Sequence, residues 1–256
     1  MTTLAYERHG AGTPIVFLHG LTFDRTSWRP IIERIDADCI AVDLPAHGES
    51  AGPPADLDVV ATQVHELVAG LGVERPVVVG HSISGGVAMI YAANYPARGA
   101  VSVDSPFDIR PFARLVQHLA PALRGPGFAE AFAPIQRSMR LDLLPEPVAQ
   151  DIRQDVVLGY WDELLRTDPE RMQRRIEAIA DRLAVPVLAI AAEPQPYPPA
   201  GEVEIWPGSG HMLHLVEADR FAARLRRFVA SVTAVGGPLE RDALEHVGDG
   251  LAGVDR

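Results

Sequence analysis

The chain has 256 residues and is 47% hydrophobic, enough for one large α/β domain with a filled core. Its formal net charge of -11 argues against nucleic acid or an anionic membrane as a partner, since either would repel an acidic surface. The single cysteine, Cys39, excludes an internal disulfide and, set in an apolar run, reads as a small buried hydrophobe.

The opening stretch from Met1 to Gly10 has no apolar signal region, and no run is long enough to span a bilayer, so a reducing cytoplasm is the expected location. Short apolar runs then alternate with segments of helical period. Pro14 to Leu18, Cys39 to Val42, Pro76 to Val79, Ala100 to Val103, Pro186 to Ala191 and Val203 to Trp206 are the strand candidates. Most are rich in Val and Ile on both faces, as strands are when helices cover each side of a parallel sheet. Between the second and third, Leu57, Val60, Val64, Leu67, Val68 and Leu71 recur at helical spacing and are stopped by Gly72. Ile83 to Tyr95 forms a second helix, ended before Pro96. Leu215 to Val232 forms a third, with Phe221, Leu225, Phe228 and Val229 as its inward stripe.

From Phe107 to Ala184 the alternation breaks. Pro121, Gly125-Pro126-Gly127, Pro145 and Pro147 divide helical segments, and an insertion of this length between strands is expected to form a helical cap over the C-terminal edge of the sheet. The expected organisation is a core of residues 1–106 and 185–235, a cap of residues 107–184 and an acidic, mobile tail of residues 236–256.

Three segments carry chemistry. Residues 77–86, VVVGHSISGG, place Ser82 between a strand and a helix, with Gly80 and Ser84 at the outer positions of a G-x-S-x-G turn. A serine hydroxyl is a weak nucleophile and must be held exposed beside a base; a sharp turn with small neighbours does that. The helix N-terminus behind it favours developing negative charge. His19-Gly20-Leu21-Thr22 follows the first confident strand, where backbone N–H groups are needed for an oxyanion; Leu21 and Ile83 are the candidate donors. Gly208-Ser209-Gly210-His211 precedes the last helix, and its glycines favour His211 over His214 as the base.

Together with Asp43-Leu44-Pro45-Ala46-His47-Gly48-Glu49-Ser50, this order resembles the serine-nucleophile branch of the α/β-hydrolase superfamily, over about residues 4 to 232. The resemblance implies a mostly parallel central sheet flanked by helices with the inserted cap. It implies structural rather than catalytic roles for Asp43, His47, His19 and His81. Ala46 stands where the family has Gly. The position usual for the triad acid holds Gln195, which cannot stabilise an imidazolium as a carboxylate does. Asp104, ending the strand Ala100 to Val103, is the favoured substitute, Glu193 the alternative, and Asp108 a lesser one.

The expected reaction is cleavage of a small or medium, fairly apolar carboxylic ester or lactone. Phe107, Phe112, Phe128, Phe132, Met139, Tyr160 and Trp161 either line the pocket or pack the cap. Alternatives are a C–C bond hydrolase acting on a diketone, and a non-hydrolytic lyase or ligand-binding protein. No metal or organic cofactor is expected, because the His211–His214 pair lacks further ligands. The sequence sets no oligomeric state.

Overall fold

A computed structural model describes residues 4–194 and 201–234. Seven strands, β1 (Tyr6–His9), β2 (Pro14–Leu18), β3 (Asp38–Val42), β4 (Val77–His81), β5 (Gly99–Val103), β6 (Val187–Ala191) and β7 (Gly201–Ile205), form one sheet in the order β1-β3-β2-β4-β5-β6-β7. Only β1 runs antiparallel to its neighbour; every other pair is parallel.

The residues of β3, β4, β5 and β6 are all buried, which explains their unbroken apolar runs. One core packs on the face carrying Val16, Ile40, Val78 and Val187, and a second on the face carrying Ile15, Cys39, Val79 and Leu188. β1 has no apolar alternation. It is a four-residue polar edge strand, held by its pairing to β3 and by Arg8 bridging to Asp38 at 2.7 Å.

Among the described residues there are ten α-helices: α1 (Arg29–Ile32), α2 (Leu57–Gly70), α3 (Ile83–Asn94), α4 (Arg110–Leu123), α5 (Phe128–Ser138), α6 (Gln154–Tyr160), α7 (Asp162–Arg166), α8 (Pro169–Ala180), α9 (Leu213–Val216) and α10 (Ala218–Ala234). In α2, Val60, Ala61, Val64 and Val68 are buried, and Gly72 takes a positive φ of 71° just beyond its end. Five helices, α4 to α8, fill the connection between β5 and β6. The last helix departs from its expected form: α9 is a single turn, and α10 begins at Ala218. Phe221, Leu225 and Phe228 are buried and Val229, half-buried, packs against the same core, while Arg224 is an unexpected buried member of the helix. Arg224 tolerates burial because it pairs with Glu202 and Glu204 of β7. No described helix is long and apolar enough to cross a membrane. The expected tail, residues 236–256, and Gln195 lie outside the described residues.

Candidate active site

The strand register brings Leu18 beside Gly80, Gly80 beside Ser102, and Val103 beside Ile190. The segments that follow β2, β4, β5 and β6 therefore leave one edge of the sheet together. This edge collects the residues singled out above.

Ser82 occupies the turn between β4 and α3 with φ 57° and ψ -125°, a conformation that costs a non-glycine residue about 1–3 kcal/mol. Neighbouring contacts hold it there. Its N–H donates to the Val103 carbonyl at 2.8 Å, and its carbonyl accepts from Gly85 N–H at 2.9 Å. The small residues around it are steric necessities: a Cβ on Gly80 would run into the Ser84 carbonyl, and one on Gly85 would overlap Ser105. Ser84, in place of the second glycine, is completely buried and donates its Oγ–H to the His19 carbonyl at 2.5 Å. It thereby ties the nucleophile turn to the segment after β2.

That segment approaches Ser82 closely. A Cβ on Gly20 would stand 3.4 Å from Ser82 Cβ and 2.6 Å from His81 Nδ1, so only glycine fits. Leu21 and Ile83 both border the cavity next to Ser82. Ile83 opens α3, where a backbone N–H has no partner within the helix. Thr22, also at positive φ (75°), is fixed by the stretch after α5. Asp151 N–H donates to its carbonyl at 2.8 Å and Gln150 Nε2 to its hydroxyl at 3.1 Å.

Asp104 follows β5 with φ 45°, and its N–H donates to the Ile190 carbonyl at 2.8 Å. Its Oδ1 accepts from Ala192 N–H at 2.8 Å, and its Oδ2 accepts from His211 Nδ1–H at 2.6 Å. Burial alone would raise the Asp104 pKa; the His211 hydrogen bond and charge and the Ala192 N–H outweigh it, and the pKa falls below the ordinary aspartate value. A carboxylate on Nδ1 fixes the tautomer in which His211 Nε2 is free to accept a proton. His211 is held at its backbone too, donating N–H to the Met139 carbonyl at 3.2 Å and accepting from His81 Nε2–H at 2.9 Å. Its ring lies against that of His81, centroids 4.6 Å apart.

The other candidates make no contact with the His211 ring nitrogens. Glu193 is exposed and borders the same cavity, but the partner of His211 Nδ1 is Asp104. His214 is buried against Trp28, ring centroids 4.5 Å apart, and burial pushes its pKa down to about 3. His19 accepts from Leu44 N–H at 3.0 Å and donates to the Gly20 carbonyl at 2.9 Å, also with a pKa lowered by burial to about 3. His47 is buried and donates to the Pro45 carbonyl at 3.0 Å. Asp43 is fully buried and accepts from the N–H groups of Arg25 (2.7 Å) and Glu49 (2.9 Å). Asp108 chelates Arg110, at 2.7 and 2.8 Å. Among the described residues no three His, Cys, Asp or Glu side chains are grouped to hold a metal ion.

Ser82, Asp104 and His211 border a cavity of about 680 Å³, within the range of small-molecule sites. Phe107, Phe112, Phe132, Met139, Tyr160 and Trp161 line it; Phe128 instead stacks on Phe132, centroids 5.4 Å apart. Sequence reasoning could not separate lining from packing for these residues, because both roles select the same side chains.

A family model described as the alpha/beta hydrolase family matches residues 15–224. The chain belongs to that family of enzymes. It is 26% identical to the 2-succinyl-6-hydroxy-2,4-cyclohexadiene-1-carboxylate synthase of Serratia proteamaculans, over 90% of this chain and 99% of the relative. It is equally 26% identical to a non-heme haloperoxidase of Rhodococcus erythropolis, over 90% of this chain and 97% of the relative. A 36% identical match to an uncharacterised protein of Mycobacterium tuberculosis spans only 96 residues, 36% of this chain and 28% of that protein. Among solved structures, the enol-lactonase of Burkholderia xenovorans superposes with a TM-score of 0.63 at 21% identity, covering 90% of this chain and 97% of the other. A protein described as recognising and cleaving the ring of the Pseudomonas quinolone signal reaches a TM-score of 0.73 at 17% identity, covering 90% and 99%. At these identities the structural likeness establishes the fold.

Proposed function

We propose that the chain is a serine hydrolase that cleaves a small or medium, fairly apolar carboxylic ester or lactone through an acyl-enzyme. The observation that carries this reading is the 2.6 Å contact between Asp104 Oδ2 and His211 Nδ1, in a site where Ser82 borders the same apolar cavity. His211 Nε2 takes the proton of Ser82 Oγ as the oxygen attacks the carbonyl. The oxyanion is received by the N–H groups of Leu21 and Ile83. The protonated His211, stabilised by Asp104, returns the proton to the departing alkoxide, and Ser82 is left acylated. A water molecule then attacks the acyl group, giving its proton to His211, and the acid leaves as Ser82 Oγ is reprotonated. Residues 107–184 serve as a cap over a core of residues 1–106 and 185–235, keeping the ester in a water-poor site.

The enol-lactonase named above and an N-acyl homoserine lactone degrading enzyme of the same fold (TM-score 0.66, 20% identity) lend the lactone class support. The test is a panel of aryl esters, lactones and diketones, with the Ser82→Ala variant as control. The reading requires saturable turnover by the wild type and none by the variant. Turnover of diketones but of no ester would move the reaction to C–C bond cleavage. No turnover of any substrate in the panel would leave a binding or lyase role.

A further inference from the structure

Two hydroxyls that border the Ser82 cavity have no part in the proposed reaction: Ser102 in β5 and Ser105 just beyond it. Ser102 is only 8% exposed, and Ser105 is half-buried. Among the described residues neither side chain has a hydrogen-bond partner. The other hydroxyls bordering the cavity are engaged. Ser82 is the proposed nucleophile, Tyr160 donates to the Pro45 carbonyl at 3.0 Å, and Ser138 donates to the Ile135 carbonyl at 2.6 Å.

A need for small size does not account for Ser102. Ala100, two residues earlier on the same face of β5, and Ala189, its pairing partner on β6, meet that need as alanines. A buried hydroxyl is costly unless something hydrogen-bonds to it. The two oxygens also converge. A Cβ on Gly85 of α3 would stand 2.8 Å from Ser102 Oγ and 2.8 Å from Ser105 Oγ, so they lie close enough together for one substrate atom to hydrogen-bond with both. Gly85 N–H donates to the Ser82 carbonyl at 2.9 Å, which sets the pair about one helical turn from the nucleophile. Met89 and Ile90, further along α3, keep the surrounding wall apolar.

We propose that Ser102 and Ser105 form a polar subsite for a hydroxyl or carbonyl oxygen that the substrate carries about three to five bonds from its scissile carbonyl carbon. The inference rests on the hydrolase reading and narrows its substrate class to esters and lactones with such an oxygen. A serine hydroxyl both donates and accepts, so either kind of oxygen fits. An all-carbon ester of the same shape leaves both hydroxyls desolvated and unpaired, which lowers its kcat/KM about tenfold relative to the oxygenated one.

Two sets of esters test this. Methyl hexanoate against its 3-, 4- and 5-oxo analogues places the oxygen on the acyl side, and butyl butanoate against 3-oxobutyl butanoate places it on the alcohol side. Ser102→Ala and Ser105→Ala each remove one hydroxyl with little change of shape. For at least one ester pair, the oxo-to-plain ratio of kcat/KM should fall fivefold or more in one or both variants; the intrinsic reactivities of the esters cancel in this comparison. Ser105 lies outside the strand, so Ser105→Ala decides the matter if Ser102→Ala does not fold. Calorimetric titration of Ser82→Ala with the same esters reads the subsite without catalysis. An oxo ester should bind at least fivefold more tightly than its plain counterpart, and adding Ser102→Ala or Ser105→Ala should remove the preference. If the wild type turns over no ester but this preference appears and is removed, the hydrolase reading fails and the subsite stands. The subsite is overturned by ratios that move less than fivefold in both variants for every pair. Without turnover, it is overturned by a binding preference that is absent, or that persists in both variants.

Discussion

Replacing Asp104 by Asn probes the site with almost no change of shape. Both carboxylate oxygens are acceptors: Oδ1 for Ala192 N–H at 2.8 Å and Oδ2 for His211 Nδ1–H at 2.6 Å. An asparagine has one acceptor and one donor end. If its oxygen stays with Ala192, its NH2 faces His211 Nδ1, which must then give up its hydrogen and accept. The ring proton moves to Nε2, the atom that should take the serine proton. If the amide flips, His211 keeps its tautomer but the buried Ala192 N–H faces a donor, at a cost of about 1–3 kcal/mol. The wrong tautomer in a Ser-His-Asp triad costs about 10⁴ in kcat, equivalent to about 5.4 kcal/mol of transition-state stabilisation. The assay is steady-state hydrolysis of a p-nitrophenyl ester by Asp104→Asn and Glu193→Gln, with circular dichroism to establish folding. Asp104→Asn should lose at least a thousandfold in kcat, and Glu193→Gln less than threefold. A folded Asp104→Asn enzyme within tenfold of wild type would refute the reasoning.

Three further outcomes follow from other parts of the structure. His19 and His214 have folded pKa values of about 3 against about 6.5 unfolded, so the unfolded chain takes up protons first as the pH falls through 6.5. Stability contributed above pH 6.5 is lost on the way to pH 3, by about 2 kcal/mol per histidine at pH 5; urea midpoints that do not fall between pH 7 and 5 would contradict this. Ala46, where the family turn has glycine, sits at φ 63°, so Ala46→Gly should raise stability by about 0.5–1 kcal/mol, read as a higher Tm. Ser84→Ala removes the buried bond to the His19 carbonyl and leaves that acceptor unsatisfied, at a cost of about 1–3 kcal/mol; its kcat should fall more than its KM rises, because the oxyanion turn loses its tie to the nucleophile turn.

What could be read from the sequence divides along physical lines. The central strands show themselves because burial on both faces demands Val and Ile at every position, as in Val77–Val79. The polar strand β1 shows nothing, since its place depends on pairing with β3 and on the Arg8–Asp38 bridge. Val229, expected on the inward stripe of the last helix, is half-buried against the core there; the burial of Arg224 beside that stripe was not legible, because its partners Glu202 and Glu204 lie on a separate strand. At the site, the vacated acid position pointed to Asp104 as a candidate, and the hydrogen bond from His211 is a spatial fact that no local pattern carries. The role of Ser84 was equally hidden: as a tolerated substitute for glycine it looked neutral, and only the approach of His19 gives its hydroxyl a partner.

An activated Ser82 is what sets a hydrolase apart from an idle copy of the same fold. Fluorophosphonate labelling followed by intact-mass measurement tests it most directly. One adduct per wild-type chain is expected, mapped to Ser82, absent in Ser82→Ala and slowed at least a hundredfold in His211→Ala. An unlabelled wild-type protein, or an adduct that persists in Ser82→Ala, would contradict it.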